Sequence, residues 1–147
     1  MTMQDEFIYR ERQVGWVLIL GLLGSTLVVW AVSPPEPVWP IALAMGSMSL
    51  LALALGRLTV EVGGGELRWR YGWLGVPRWR VPLADIERIE PCRTRAVEGW
   101  GIHRTKEGWL YNMAGQDALR VVRRDGRRFR LGSADLAGLQ RVLQPRL

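Results

Sequence analysis

Nineteen consecutive residues, 14–32 (VGWVLILGLLGSTLVVWAV), carry no charge, and a second uncharged run, 38–55 (VWPIALAMGSMSLLALAL), follows five residues later. Nothing else in the chain restricts its fold as strongly. At 1.5 Å of rise per residue, the first run makes roughly 29 Å of helix, about the hydrocarbon thickness of a bilayer. The second is slightly shorter, with Pro40 in its first turn, where a missing N–H has no intrahelical partner to lose. Between them lies SPPEP, residues 33–37, whose three prolines stop a helix and leave enough chain to reverse direction. The expectation is an N-terminal transmembrane α-helical hairpin. Residues 1–13 precede it as a cytoplasmic segment, 14–32 and 38–56 are the spans, and 33–37 is a short extracytoplasmic turn. Trp16, Trp30 and Trp39 fall at the span ends and are expected to act as membrane-interface anchors. Gly21 and Ser25, and Ala42 and Gly46, give small residues four apart, a spacing that allows close helix approach and is also simply common in membrane helices.

Charge orients the hairpin. Arg10 and Arg12 precede the first run, the turn has no basic residue, and a basic stretch begins at Arg57, so both termini are expected in the cytoplasm of a bacterial inner membrane as a multi-pass protein. The chain as a whole carries a formal +6, but residues 1–56 sum to −2 and residues 57–147 to +8. A single cysteine, Cys92, excludes an internal disulfide and suits a reducing compartment. A cleaved signal peptide competes weakly, because the first apolar run is long and Asp5, Glu6 and Glu11 spoil a basic leader. Burial of both runs in a soluble protein competes less, since some 91 residues are few to wrap two all-apolar helices.

After Gly56 the period changes from continuous apolar to alternating, which indicates strands. They are expected at 58–62, 66–71, 79–82, 86–95 (an edge or bulge at Pro91), 109–113, 118–123 and 127–131. A turn at Gly63–Gly65 links the first two strands, and Asp125-Gly126 is expected to form a type I′ turn between the last two. Ser133 is placed as the N-cap of a final helix on which Leu136, Leu139 and Leu143 share one face and which Pro145 ends. The expected cytoplasmic domain, 57–147, is mainly β, with about seven antiparallel strands and a C-terminal α-helix. The stretch GWGIHRTKEGWLYN, the hairpin DGRRFRLG and the strand PLADIERIE resemble bacterial PH-like (pleckstrin-homology-like) domain membrane proteins in which a two-helix hairpin precedes the domain. The resemblance implies a membrane-tethered cytoplasmic module, a β-sandwich or partly open barrel capped by a helix, in a largely uncharacterised family.

RWRYGWLGVPRWR, residues 68–80, interleaves Arg68, Arg70, Arg78 and Arg80 with three tryptophans and a tyrosine. Arginine among aromatics fits phosphate groups at a lipid surface with Trp73 as interfacial anchor; strand alternation alone would equally put the aromatics in a core and the arginines in solvent. Arg120, Arg123, Arg124, Arg127, Arg128 and Arg130 form a second cluster straddling Asp125-Gly126, either a contact for anionic lipid or a partner, or a solvated tip guarded against edge pairing. The first hairpin loop, Gly63–Gly65, has no basic residue and is flanked by Glu61 and Glu66, so phosphoinositide recognition there is not expected.

Catalytic inventory is thin. His103 is the only histidine, Lys106 the only lysine, and no phosphate-binding Gly-Lys-Ser/Thr loop or metal-ligand spacing occurs. No catalytic residue, cofactor, metal or small-molecule substrate is expected, and the excess of basic charge is not read as nucleic-acid binding. The reading is a membrane-anchored, non-catalytic binding or scaffold module mediating protein interaction or self-assembly. Its alternative is a sensor of anionic lipid surfaces; a Cys92-dependent activity is a remote third.

Overall fold

Alternation of inward and outward side chains governs most of the chain, and the pattern extends further than the sequence suggested. The computed structural model describes residues 7–33, 39–99 and 101–147. Among the described residues nine strands form two sheets. The first sheet is β1 (Phe7–Val14), β2 (Arg57–Gly63), β3 (Glu66–Tyr71) and β4 (Arg78–Pro82), in that spatial order and antiparallel throughout. The second contains β5 (Ile86–Arg93), β6 (Gly101–Thr105), β7 (Gly108–Asn112), β8 (Asp117–Arg123) and β9 (Arg128–Gly132), in the order β5-β8-β9-β7-β6. Two strands were not anticipated, β1 and β6. The expectation of about seven strands, all antiparallel, is also corrected by β7 and β9, which run parallel with Tyr111 opposite Leu131. Pro91 sits in register opposite Leu119 on the edge strand β5, while the irregularity lies between Ile86 and Arg88.

The two sheets bury one core between them. Leu58, Val60, Val62 and Leu67 from the first meet Leu119, Val121, Phe129 and Leu131 from the second. Trp69 joins the layers, its ring centroid 4.9 Å from Phe129 and 5.1 Å from Tyr111. Tyr71 is fully buried and donates its hydroxyl to the carbonyls of Gly101 and Asn112, each at 3.2 Å. Burial in this apolar setting pushes the Tyr71 phenol above its ordinary range, so it stays a neutral donor.

The hairpin from β2 to β3 turns on Gly64 and Gly65, both at positive φ, the conformation a two-residue type I′ turn requires. The expected type I′ turn at Asp125-Gly126 is different. Only Gly126 has positive φ; its N–H bonds Arg123 O at 3.0 Å and Arg123 N–H bonds Arg127 O at 2.8 Å. That is a three-residue loop ending in a left-handed glycine, and it spares Asp125 the strained conformation.

The uncharged runs become two helices, α1 (Trp16–Val32) and α2 (Trp39–Leu55), which pack side by side. The expected transmembrane hairpin, and with it the multi-pass inner-membrane location, is overturned: no helix among the described residues is long and apolar enough to cross a membrane. The reason lies at the helix ends. Val14 belongs to β1, paired with Arg57, and Gly15 N–H bonds Gly56 O at 2.8 Å, so the sheet takes the residues that would have lengthened both helices. Each helix keeps 17 residues, about 26 Å of rise against roughly 30 Å of hydrocarbon. Trp16, Trp30 and Trp39 lie at helix ends and are exposed, but the anchoring role expected of them goes with the spans. The expected turn at 33–37 falls almost entirely outside the described residues.

The last helix, α3 (Leu136–Leu143), lays Leu139 and Leu143 into the core. Its N-cap is Asp135, whose carboxylate accepts Gly138 N–H at 3.0 Å, and not Ser133 as expected. Ser133 is one step removed: its oxygen accepts Asp135 N–H at 3.2 Å and its hydroxyl donates to Glu11 at 2.6 Å. Glu11, from β1, also accepts the Tyr9 hydroxyl at 2.9 Å, Asp135 N–H at 3.3 Å and Ala134 N–H. Gln13 adds a bond to Gly132 O at 2.9 Å. The first strand of the chain thereby fixes the start of its last helix. Glu11→Ala strands several donors at once and is expected to cost about 2 kcal/mol, read as a lowered midpoint in urea unfolding; Glu11→Gln, which keeps one acceptor oxygen, is expected to lose about half as much.

Candidate functional site

Successive side chains on a strand face opposite ways, so the register of the first sheet decides which charges share its outer face. Arg10, Glu61, Arg68 and Arg80 stand in one cross-strand row, and Arg12, Thr59, Arg70 and Arg78 in the next. With Glu66 in the row beyond, the described residues of this face carry six guanidinium groups and two carboxylates, a net +4. Leu67, Trp69, Tyr71 and Val81 point the other way, into the core. The two readings of RWRYGWLGVPRWR thus describe opposite faces of the same strands: aromatics inside, arginines outside.

Each carboxylate is held between two arginines. Glu61, whose side chain is 7% exposed, accepts Arg10 Nε at 2.9 Å and Arg70 Nη2 at 3.0 Å. Glu66 accepts Arg68 Nε at 2.8 Å, with Arg80 Nη1 at 3.8 Å. The guanidinium carbons of Arg10 and Arg68 each lie 6.0 Å from the centroid of the Phe7 ring, the outer limit of a useful cation–π contact. Phe7, Arg10, Glu61 and the arginines of β3 and β4, with the strand residues Trp69 and Trp79 between them, line an open groove of about 860 Å³. Arg12 and Arg78, both exposed, form no ion pair among the described residues.

The structure brings Arg68, Arg70, Arg78 and Arg80 together as the alternation indicated. Trp73 lies off this face. It belongs to the connection between β3 and β4, where Trp73, Leu74 and Val76 are exposed beside the base of α2. The second cluster is also elsewhere, at the β8–β9 turn, and is largely engaged: Arg123 pairs with Asp85 at 3.3 Å and Asp125 at 3.5 Å, Arg124 Nε donates to Ala84 O at 2.8 Å, and Arg127 reaches Asp125 at 3.8 Å. Those bonds clamp the turn to the 3-10 segment Leu83–Asp85. Arg128 stays exposed. Sequence reasoning missed Arg10, Arg12, Thr59 and Glu61. The only signal for the first two was the alternation of charge in FIYRERQV, which sits directly before an apolar run.

A second groove, about 670 Å³, opens on the outer face of the other sheet. Here Arg93, Arg95, Arg104, Lys106, Arg120 and Arg130 stand against Glu98 and Glu107, and part of this charge is linked in a chain. Glu90 meets Arg120 at 3.2 Å, Arg120 meets Glu107 at 2.7 Å, and Arg130, 6% exposed, lies 3.9 Å from Glu107 and 2.7 Å from Glu98. The carboxyls of Glu98 and Glu107 are held below the usual carboxylate range, chiefly by hydrogen bonds from Arg130 and Arg120. Burial pushes the neighbouring Cys92 thiol up, away from the reactive thiolate. No group of three His, Cys, Asp or Glu side chains among the described residues could hold a metal ion.

No protein-family model matches the chain, and no curated protein matches it in sequence.

Proposed function

We propose that this chain is a non-catalytic binding module, PH-like in its β domain, that docks an acidic segment of a partner protein on the outer face of its four-stranded sheet. The observation that carries the reading is the ordering of cations on this face: among the described residues six arginines stand in two cross-strand rows against two glutamates, and Arg12 and Arg78 form no ion pair. Exposed guanidinium groups at strand spacing match carboxylates presented by an extended acidic peptide. Pairing of this face with its own copy is disfavoured, because a two-fold contact would set arginine against arginine. In fluorescence anisotropy, a labelled Asp/Glu-rich peptide is expected to bind the full chain saturably and more weakly as salt rises. Arg68→Gln with Arg80→Gln is expected to weaken it about tenfold; affinity unchanged in that variant defeats the proposal.

A second reading, contact with an anionic lipid surface, is favoured by one observation: Trp73, Leu74 and Val76 expose apolar area next to the arginine strands. Co-sedimentation with phosphatidylglycerol vesicles that is lost on phosphatidylcholine and in Arg70→Gln/Arg78→Gln would favour it over the peptide; binding indifferent to both would remove it.

A further inference from the structure

β4 ends one side of the first sheet: among the described residues it pairs with β3 and with no other strand. Which of its backbone groups face the open side follows from the ladder. Tyr71 N–H bonds Pro77 O at 2.9 Å just before the strand, and Leu83 N–H bonds Gly65 O at 2.8 Å just after it. In an antiparallel pair such bonded positions recur at every second residue, so Trp79 and Val81 bond to β3, and the N–H and C=O groups of Arg78 and Arg80 point away from it. None of those four groups has a hydrogen-bond partner among the described residues. The two side chains stand on the outer face, Arg78 in no ion pair among the described residues and Arg80, 75% exposed, reaching Glu66 only at 3.8 Å. At two successive outward positions the same residue thus offers both backbone bonds and an accessible cation.

We infer that the acidic segment docks by adding to this sheet as a fifth strand, antiparallel to β4, and that the segment recognised alternates acidic with apolar residues. The inference rests on the reading of this face as a docking surface and fixes how the segment lies on it. In such an addition the residues opposite Arg78 and Arg80 exchange backbone bonds with them at a Cα separation of about 5.5 Å. Their side chains emerge on the outer face, beside the guanidinium groups, so acidic residues belong there. Two such residues, two positions apart, match the roughly 6.8 Å that separates Arg78 from Arg80 along the strand. The residue between them stands opposite Trp79 on the inner side. There the half-buried indole lies 4.8 Å from the Tyr111 ring and 6.2 Å from the Trp69 ring, centroid to centroid, and an apolar side chain extends that cluster past the sheet edge. Charge selects against the other occupants. A second copy of β4 on this edge would set arginine opposite arginine, and a neutral strand would make the backbone bonds while leaving both cations without a counter-charge.

The probe is a labelled Glu-Val-Glu-Val-Glu peptide, whose glutamates take the outer positions, titrated into the full chain and read by fluorescence anisotropy. N-methylation of its central glutamate, whose N–H faces β4, is expected to weaken binding at least about tenfold. N-methylation of a valine, whose N–H faces away, removes no bond to β4 and is expected to change it less than about twofold. Arg78→Gln is expected to weaken the unmethylated probe about threefold, with an unchanged thermal midpoint verifying that the variant folds. Hydrogen exchange at the amides of Arg78 and Arg80 is expected to slow about tenfold on saturation with the probe, as their N–H groups pass from water into a ladder. Equal affinity of the two methylated peptides, or unchanged exchange at Arg78 and Arg80 with the probe bound, overturns strand addition. If the Asp/Glu-rich peptide nonetheless binds in an Arg68- and Arg80-dependent way, the docking face stands and the segment lies across the arginine rows by side-chain contacts alone. No binding of the probe also overturns strand addition, and failure of the Asp/Glu-rich peptide along with it removes the docking reading as well.

Discussion

Gly72→Ala is expected to lower the stability of the chain by about 3–5 kcal/mol, the largest effect of any single methyl group added to it. Gly72 has φ +71, and a Cβ built on it would lie 1.8 Å from the carbonyl oxygen of Ala54, in the last turn of α2. Neither atom can step aside: Gly72 N–H is bonded to Arg57 O at 2.7 Å, and Ala54 belongs to a helix running directly into β2. The substitution therefore has to separate α2 from the β3–β4 connection. Gly115→Ala is the control. Its φ is similar, +77, with nothing within 4 Å of an added Cβ, so it should cost only the backbone strain, about 1 kcal/mol. Urea unfolding of both variants separates strain from collision; equal losses would show that the approach of Gly72 to Ala54 contributes nothing.

Arg130→Ala is expected to cost about 3 kcal/mol. Its guanidinium grips Glu98 with both terminal nitrogens, at 2.7 and 3.2 Å, and donates to Thr105 at 3.2 Å, from a side chain only 6% exposed. Glu98 in turn accepts Arg95 N–H at 2.8 Å, so the pair pins the 3-10 segment Ala96–Glu98 to the sheet. Removing the arginine leaves a carboxylate without its counter-charge and loosens that segment. A double-mutant cycle with Glu98→Gln should show a coupling of about 1.5–3 kcal/mol; additivity within about 0.5 kcal/mol would mean the two side chains act separately. The pair also sets an acid limit. Because the folded Glu98 carboxyl is held below its unfolded value of about 4.3, the stability it lends is complete above that pH and disappears as pH falls through the folded value. Thermal midpoints of the wild type should therefore drop below about pH 4, and those of Glu98→Gln should drop less.

Alternation made β2, β3 and β8 legible, because each has one apolar face against the core. It failed for β1 for a physical reason. The inward positions of FIYRERQV are Tyr9, Glu11 and Gln13, which satisfy hydrogen bonds at the start of α3 and at Gly132 in place of filling an apolar core. A strand with two polar faces carries no hydrophobic period and reads as a charged flank. The parallel pairing of β7 with β9 was hidden differently: it joins strands separated by a hairpin partner, and no local pattern encodes such a neighbour. The uncharged runs were read correctly as helical, and the first too generously in length, since the ladder between Val14 and Arg57 delays the start of α1 to Trp16. At the basic face, the arginines of β3 and β4 were visible from spacing alone. Arg10 and Arg12 depended on finding β1. The arginines near Asp125 looked equivalent in sequence, but Asp85 and the Ala84 carbonyl, some forty residues earlier, engage them.

The antiparallel ladder of β1 with β2 makes the whole helical pair, in topological terms, an enlarged hairpin connection: the chain leaves one strand at Val14 and re-enters its neighbour at Arg57. The strands build the groove and most of the two-sheet core, and the helices meet them at the junction, where Leu55 packs against the core and Ala54 faces Gly72. A shorter link between Val14 and Arg57 would preserve the strand register, the arginine rows and the tether from Glu11 to the last helix, while deleting the most apolar part of the molecule.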